Sequence, residues 1–102
     1  MNYTYIVKCK DGSFYTGWTN DLRKRLMTHN QGKGAKYTRC RLPVKLVYLE
    51  PQEEYSQALK KEYAIKHLKR CKKEHLIQGL DEVAKLEIKA INDEVLSRFD
   101  EF

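Results

Sequence analysis

Asp11-Gly12 constrains this chain more than any other pair of residues, because β-rich runs lie on both sides of it. Tyr3 to Lys10 alternates and carries β-branched and aromatic side chains, and Phe14 to Trp18 has the same character. An Asp-Gly pair suits the tight turn that folds two such runs back on each other as an antiparallel hairpin. Loop length then decides the faces. With a two-residue loop of Asp11 and Gly12, Tyr5 and Tyr15 lie on opposite faces. With a three-residue loop that includes Ser13, Cys9 pairs with Tyr15, and Tyr5, Val7, Tyr15 and Gly17 share a face. A one-residue slip turns every side chain over, so the two registers are cleanly distinct.

The returning strand breaks at Gly17 and leads into a helix. Thr19 or Asn20 can accept its first free N–H groups, and Asp21 suits the positive end of its dipole. Leu22, Arg25, Leu26 and His29 recur at helical spacing, so two potential cations flank an apolar stripe. An Asp21–Arg25 surface pair is the ordinary explanation for Arg25. Residues 30–43 hold Gly32, Gly34, Lys33, Lys36, Arg39 and Arg41, with Tyr37 among them. Such a segment can grip a phosphate backbone and offer a base a stacking surface, or it can be a solvated loop. Val44 to Glu50 forms a third strand ended by Pro51, and Ser56 can cap the helix that follows.

That helix, Gln57 to about Arg70, places Ala58, Glu62 and Ile65 on one face, with Leu59 adjoining. Glu62 is the only acid between Glu54 and Glu74 and is surrounded in sequence by lysines and arginines. A half-buried carboxylate needs a partner. A lysine one turn away, Arg25 and a divalent cation all qualify on spacing. Lys72 to Gln78 reads as a short helix. Ala84, Ile88, Ile91, Val95 and Phe99 then recur at 3–4 spacing, predicting an amphipathic helix with an acidic outer face. That helix docks on the domain or serves self-association or a protein partner.

Charge is divided unevenly along the chain. Residues 1–78 carry 17 lysines and arginines against 7 acids, a net +10, whereas residues 79–102 carry 3 against 7, a net −4. The basic block suggests a nucleic-acid partner through phosphate neutralisation. Cys9, Cys40 and Cys71 are odd in number and widely spaced, which argues against a disulfide framework and a zinc site. With no apolar run long enough to span a bilayer, a reduced, cytoplasmic protein without a membrane partner is expected. At 102 residues the chain makes one domain, residues 1–78, with residues 79–102 as a helix packed on it or extending it.

Two tyrosines on neighbouring strands, an arginine and a histidine one helical turn apart, and a lone glutamate on a later helix together resemble a GIY-YIG nuclease domain. The first signature element stands here as Tyr3-Thr4-Tyr5 and the second as Tyr15-Thr16-Gly17. Arg25 follows Tyr15 at the family's spacing, His29 follows at i+4, and Glu62 lies in A-L-K-K-E-Y-A-I-K at the metal-binding position. Tyr3 to about Ile77, with G-K-G-A-K-Y-T-R after His29-Asn30, is most like the small single-domain bacterial members, whose role is uncharacterised. The first glycine of the signature is Tyr3 here. No asparagine stands between Tyr63 and Gln78, where the nucleases often carry one, and Lys73 is a candidate substitute.

The resemblance implies an α+β fold, a small three-stranded antiparallel sheet flanked by helices with an extra C-terminal helix. It brings both tyrosines to one site and so selects the odd hairpin loop. It also implies hydrolysis of DNA phosphodiester bonds with one Mg²⁺ or Mn²⁺ held by Glu62. Arg25 would bind the scissile phosphate, Tyr5 would act as general base, Tyr15 would orient water or phosphate, and His29 would position Tyr5 or carry a proton. Lys33, Lys36, Tyr37, Arg39 and Arg41 would hold nucleic acid. Tyrosine titrates near 10, so a basic Tyr5 needs positive charge nearby, from Arg25, a metal-bound water or Lys8. A non-catalytic nucleic-acid-binding module on the same fold is the alternative, and an adaptor docking through the acidic tail is a third.

Overall fold

Lys10, Asp11 and Gly12 close the hairpin. The Cys9 N–H donates to the Ser13 carbonyl at 2.8 Å, and the Gly12 N–H donates back to the Cys9 carbonyl at 2.9 Å. The Asp11 carboxylate accepts from both the N–H and the hydroxyl of Ser13. The loop therefore has the odd length expected but begins one residue earlier, and Val7, not Cys9, stands opposite Tyr15. The expected and observed registers differ by two residues, which preserves faces, so Tyr5, Val7, Tyr15 and Gly17 still share one side.

The computed structural model describes residues 1–99. Strands β1 (Asn2–Lys8), β2 (Phe14–Thr19) and β3 (Lys45–Gln52) form an antiparallel sheet in the order β2-β1-β3. Pro51 lies inside β3, opposite Tyr3, and does not end the strand. An edge strand tolerates a residue without an N–H. The β1–β3 register shifts between Ile6 and Val7, which face Tyr48 and Leu46 and leave Val47 as the extra residue.

Helices cover both faces of the sheet: α1 (Leu22–Asn30), α2 (Lys36–Arg39), α3 (Tyr55–Lys66), α4 (Arg70–Gln78) and α5 (Glu82–Leu96). Tyr5, Val7, Leu46 and Leu49 pack against Leu22 and Leu26 of α1 and against Ile88, Ile91 and Val95 of α5. Ile6 and Tyr48 on the other face meet Ile65 of α3, with Leu76 and Ile77 of α4 packed alongside. This is the three-stranded α+β arrangement expected from the sequence.

Boundaries differ where side-chain caps compete. Asp21 itself caps α1 by accepting from the Lys24 N–H at 3.1 Å, while Thr19 accepts from the Asp21 N–H. Helix α3 starts earlier than expected because Glu54 and Gln57 form a capping box in place of a Ser56 cap. It also stops at Lys66, and α4 begins at Arg70. Arg70 then donates to the Gly12 carbonyl at 2.9 Å and lies over the Phe14 ring, tying α4 to the hairpin.

Helix α5 docks through the stripe expected of it. Asn92 on its inner side donates to the Leu46 carbonyl and accepts from the Leu46 N–H, both at 2.8 Å. Val83 and Leu86 stay exposed. Residues 100–102 of the expected C-terminal segment lie outside the described residues. Among the described residues, no helix is long and apolar enough to cross a membrane.

Ile91 is fully buried between α5 and the sheet. Ile91→Ala should lower unfolding free energy by roughly 2–5 kcal/mol, the usual cost of truncating a buried isoleucine, as read by urea denaturation.

Candidate active site

Tyr5 leaves β1 on the face where its cross-strand neighbour is Gly17. A Cβ at position 17 would stand 2.6 Å from the Tyr5 hydroxyl, so the ring has its place only because that neighbour has no side chain. The phenol is 1% exposed, and its hydroxyl meets His29 Nε2 at 2.7 Å. Arg25 donates to the same oxygen from Nε at 3.1 Å. One turn of α1 thus supplies both polar partners of a buried tyrosine. Arg25 is not paired with Asp21, whose carboxylate is occupied as the helix cap.

His29 is fully buried, with Nδ1 3.0 Å from the Thr38 hydroxyl. Burial and the Arg25 charge push its imidazole down to about 4, so it is neutral at physiological pH. Gly34 passes so close that a Cβ there would collide with Nδ1. Tyr15 lies edge-on to the His29 ring, with centroids 5.5 Å apart. Burial pushes the Tyr5 phenol up to about 12, although the Arg25 hydrogen bond and charge pull the other way. The expected depression of Tyr5 therefore does not occur. Arg25 acts as foreseen and desolvation outweighs it, whereas Lys8 is not among the charges acting on the phenol.

Glu62 projects from α3 between the fully buried Ala58 and Ile65 and is itself half-buried. Neither a lysine one turn away nor Arg25 pairs with it, and its side chain makes no hydrogen bond or ion pair among the described residues. Its charge is near enough to raise the Tyr5 phenol. Tyr5, Tyr15, Arg25, His29 and Glu62, from both strands of the hairpin and from helices on opposite faces of the sheet, are thus brought to one place. An unpaired, half-buried carboxylate fits a Mg²⁺ or Mn²⁺ ion, which commonly takes one or two protein carboxylates and completes its octahedron with water and phosphate oxygens. Lys73 makes no hydrogen bond or ion pair with Glu62 among the described residues.

The basic segment divides in two. Lys33, Lys36 and Arg39 are exposed, and no ion pair among the described residues engages them. Arg41 is already occupied: it pairs with Asp11 at 3.0 Å, donates to the Tyr37 carbonyl at 2.7 Å and lies 3.9 Å over the Tyr37 ring. Tyr37 in turn stacks on Tyr15, with centroids 6.2 Å apart. Arg41 therefore fastens the segment to the hairpin and holds Tyr37 over the site.

Two residues escaped the sequence reading. Asn30 donates to the Val44 carbonyl and accepts from the Val44 N–H, at 3.0 and 2.9 Å, closing both ends of the basic segment onto each other. Its signal is a polar residue in register with the Leu22 and Leu26 stripe. Thr38, also fully buried, gives no such signal, because its partner His29 is reached only through the folded loop.

A family model for the GIY-YIG catalytic domain matches residues 1–75. A UPF0213 protein of Clostridium perfringens is 61% identical over 79 residues, covering 78% of this chain and 85% of its own. The UPF0213 protein YazA of Bacillus subtilis is 52% identical over 77 residues, covering 76% and 78%. The solution NMR structure of a UPF0213 protein from Bacillus halodurans aligns with a TM-score of 0.50 at 51% identity, over 76% of this chain and 84% of that one. The solution NMR structure of a protein from E. faecalis aligns with a TM-score of 0.53 at 44% identity, over 76% of this chain and 82% of that one.

His29 takes up a proton at about 4 in the folded protein and near 6.5 when exposed. The unfolded chain binds more protons between those values, so this group makes stability rise with pH from about 4 to 6.5, by on the order of 3 kcal/mol. Denaturation midpoints of the wild type should climb across that window, and those of His29→Gln should climb much less.

Proposed function

This chain belongs to the GIY-YIG family, and from that premise we propose that it hydrolyses phosphodiester bonds in DNA with one Mg²⁺ or Mn²⁺. The observation that carries the reading is a tyrosine hydroxyl held by an arginine and a neutral histidine, with an unpaired Glu62 near enough for its charge to act on it. Glu62 would hold the ion, which when bound would stabilise negative charge on the phosphate and the leaving oxygen. Every other role falls to the protein's own side chains.

Tyr5 is a protonated phenol at neutral pH and cannot take a proton from water unless its own proton leaves. Arg25 donates to the phenol oxygen, so it cannot accept that proton. His29, uncharged and 2.7 Å away, can. Water then gives one proton to the Tyr5 oxygen as the phenol proton moves to His29 Nε2. The new P–O bond forms, the bond to the leaving oxygen breaks, and that oxygen takes a proton from solvent. Arg25, which also engages Tyr15, turns its guanidinium to the phosphate oxygens, a donor fork matched to their geometry. Tyr15 borders the same space and orients water or phosphate.

Lys33, Lys36 and Arg39 supply the cations that track the DNA backbone, and Tyr37, its ring covered by Arg41 and stacked on Tyr15, borders their path without offering a base an open face. Arg41 contributes by holding Tyr37 in place. Residues 1–78 form the nuclease unit, and the described part of the C-terminal segment packs on it through α5. The three free cysteines suit a reducing compartment such as the cytoplasm.

Cleavage of DNA should appear on adding Mg²⁺ or Mn²⁺. Glu62→Gln should lower it by more than roughly a hundredfold, since even groups that merely support metal ligands contribute 10–100-fold. Tyr5→Phe should lower it by about 10²–10⁴-fold, the range for a lost proton-transfer group. DNA binding without a nick at any metal concentration would replace this reading with that of a binding module.

A further inference from the structure

The role given to His29 makes a demand on its ring: Nε2 must present a lone pair to the Tyr5 hydroxyl, so the ring proton must sit on Nδ1. We propose that Thr38 is a positioning residue that fixes His29 as the Nδ1–H tautomer through its buried hydroxyl. The proposal rests on the nuclease reading for its purpose, but its geometry is independent of that reading.

Thr38 belongs to the short helix α2 and is fully buried. Its hydroxyl lies 3.0 Å from the Ala35 carbonyl and 3.0 Å from His29 Nδ1. A hydroxyl has one proton to give. The Ala35 carbonyl can only accept, and with the Thr38 proton directed there, beside the Thr38 and Arg39 N–H groups, the Thr38 oxygen accepts from Nδ1–H. The other end of the ring gives the same answer. Tyr5 already accepts from Arg25, and its own proton needs an acceptor among the groups packed around it at rest. Nε2 without a proton is that acceptor. In the opposite tautomer Nε2–H would point at the phenol oxygen, and the Tyr5 proton would have no partner among the described residues.

One arrangement satisfies all four protons of the chain of contacts: Arg25 to Tyr5, Tyr5 to His29, His29 to Thr38, and Thr38 to Ala35. The penalty for a buried unsatisfied hydroxyl proton makes that arrangement preferred by roughly tenfold or more. Gly34 leaves room for that contact, since any Cβ there would crowd the Nδ1 edge that Thr38 occupies. Loss of the Thr38 hydroxyl leaves Nδ1 with no acceptor, and the proton is then free to move to Nε2. The ring would keep its place, but it could no longer accept from Tyr5.

Long-range ¹⁵N–¹H correlation of the imidazole rings at pH 7 reads the tautomer directly, with His29→Gln assigning the His29 signals among the three histidines. Wild type and Thr38→Ser should show the Nδ1–H pattern, and Thr38→Val should shift toward Nε2–H. Under metal-activated turnover, Thr38→Val should lose roughly 10–100-fold in kcat with KM little changed, and Thr38→Ser should restore most of it. An Nε2–H pattern in the wild-type protein would overturn the proposal whether or not Thr38→Val folds. So would a folded Thr38→Val with unchanged tautomer and kcat. A wild type that shows the Nδ1–H pattern, lost in Thr38→Val, but never cuts DNA would sink the nuclease reading and leave the hold of Thr38 on His29 standing.

Discussion

A tyrosine hydroxyl buried under the backbone of a neighbouring strand needs partners, and much of this structure exists to provide them. The Tyr5 ring crosses Gly17 and arrives at α1, where Arg25 and His29 wait one turn apart. That meeting fixes the hairpin register, since any odd displacement would put Tyr5 on the other face. It fixes the phase of α1, which must turn His29 inward with Leu22 and Leu26. It also requires the basic segment to fold back, because His29 Nδ1 finds its own partner only at Thr38.

The electrostatics follow from the same burial. A low-dielectric site holds both Tyr5 and His29 in their neutral forms, by raising the phenol and lowering the imidazole. Neither member therefore stands charged at rest, and any proton passed from Tyr5 to His29 must be drawn across by charge that develops only during the reaction. Arg25 is the fixed positive charge beside them, and Glu62 brings an opposing charge from α3. The basic segment acts on this centre indirectly, by stacking Tyr37 against Tyr15 and leaving three lysine and arginine side chains free toward solvent.

The architecture was legible wherever local chemistry spoke alone. Asp11-Gly12 announced the hairpin, the Ala58–Glu62–Ile65 spacing announced a carboxylate in an apolar stripe, and Ile88, Ile91 and Val95 announced the docking face of α5. Readings failed where a side chain acted on distant backbone or where two caps competed. Glu54 and Gln57 outbid Ser56, Asp21 displaced its neighbours, and Pro51 was harmless because its strand lies at an edge. The five clustered residues could be named from spacing and family resemblance. The direction of the Tyr5 shift could not, because it depends on how completely the fold removes water from the phenol.

Asn30 and Asn92 repeat one device. Each uses a carboxamide to occupy both the N–H and the C=O of one residue in or beside β3, at Val44 and Leu46. Pro51, farther along, has no N–H to offer. A third strand at the edge of so small a sheet would otherwise present a ladder of open hydrogen-bonding groups to any other chain. With two rungs plugged by asparagines and a third missing its donor, β3 is a poor template for strand addition. The sheet can therefore stay three strands wide at high concentration, without a partner to seal its margin.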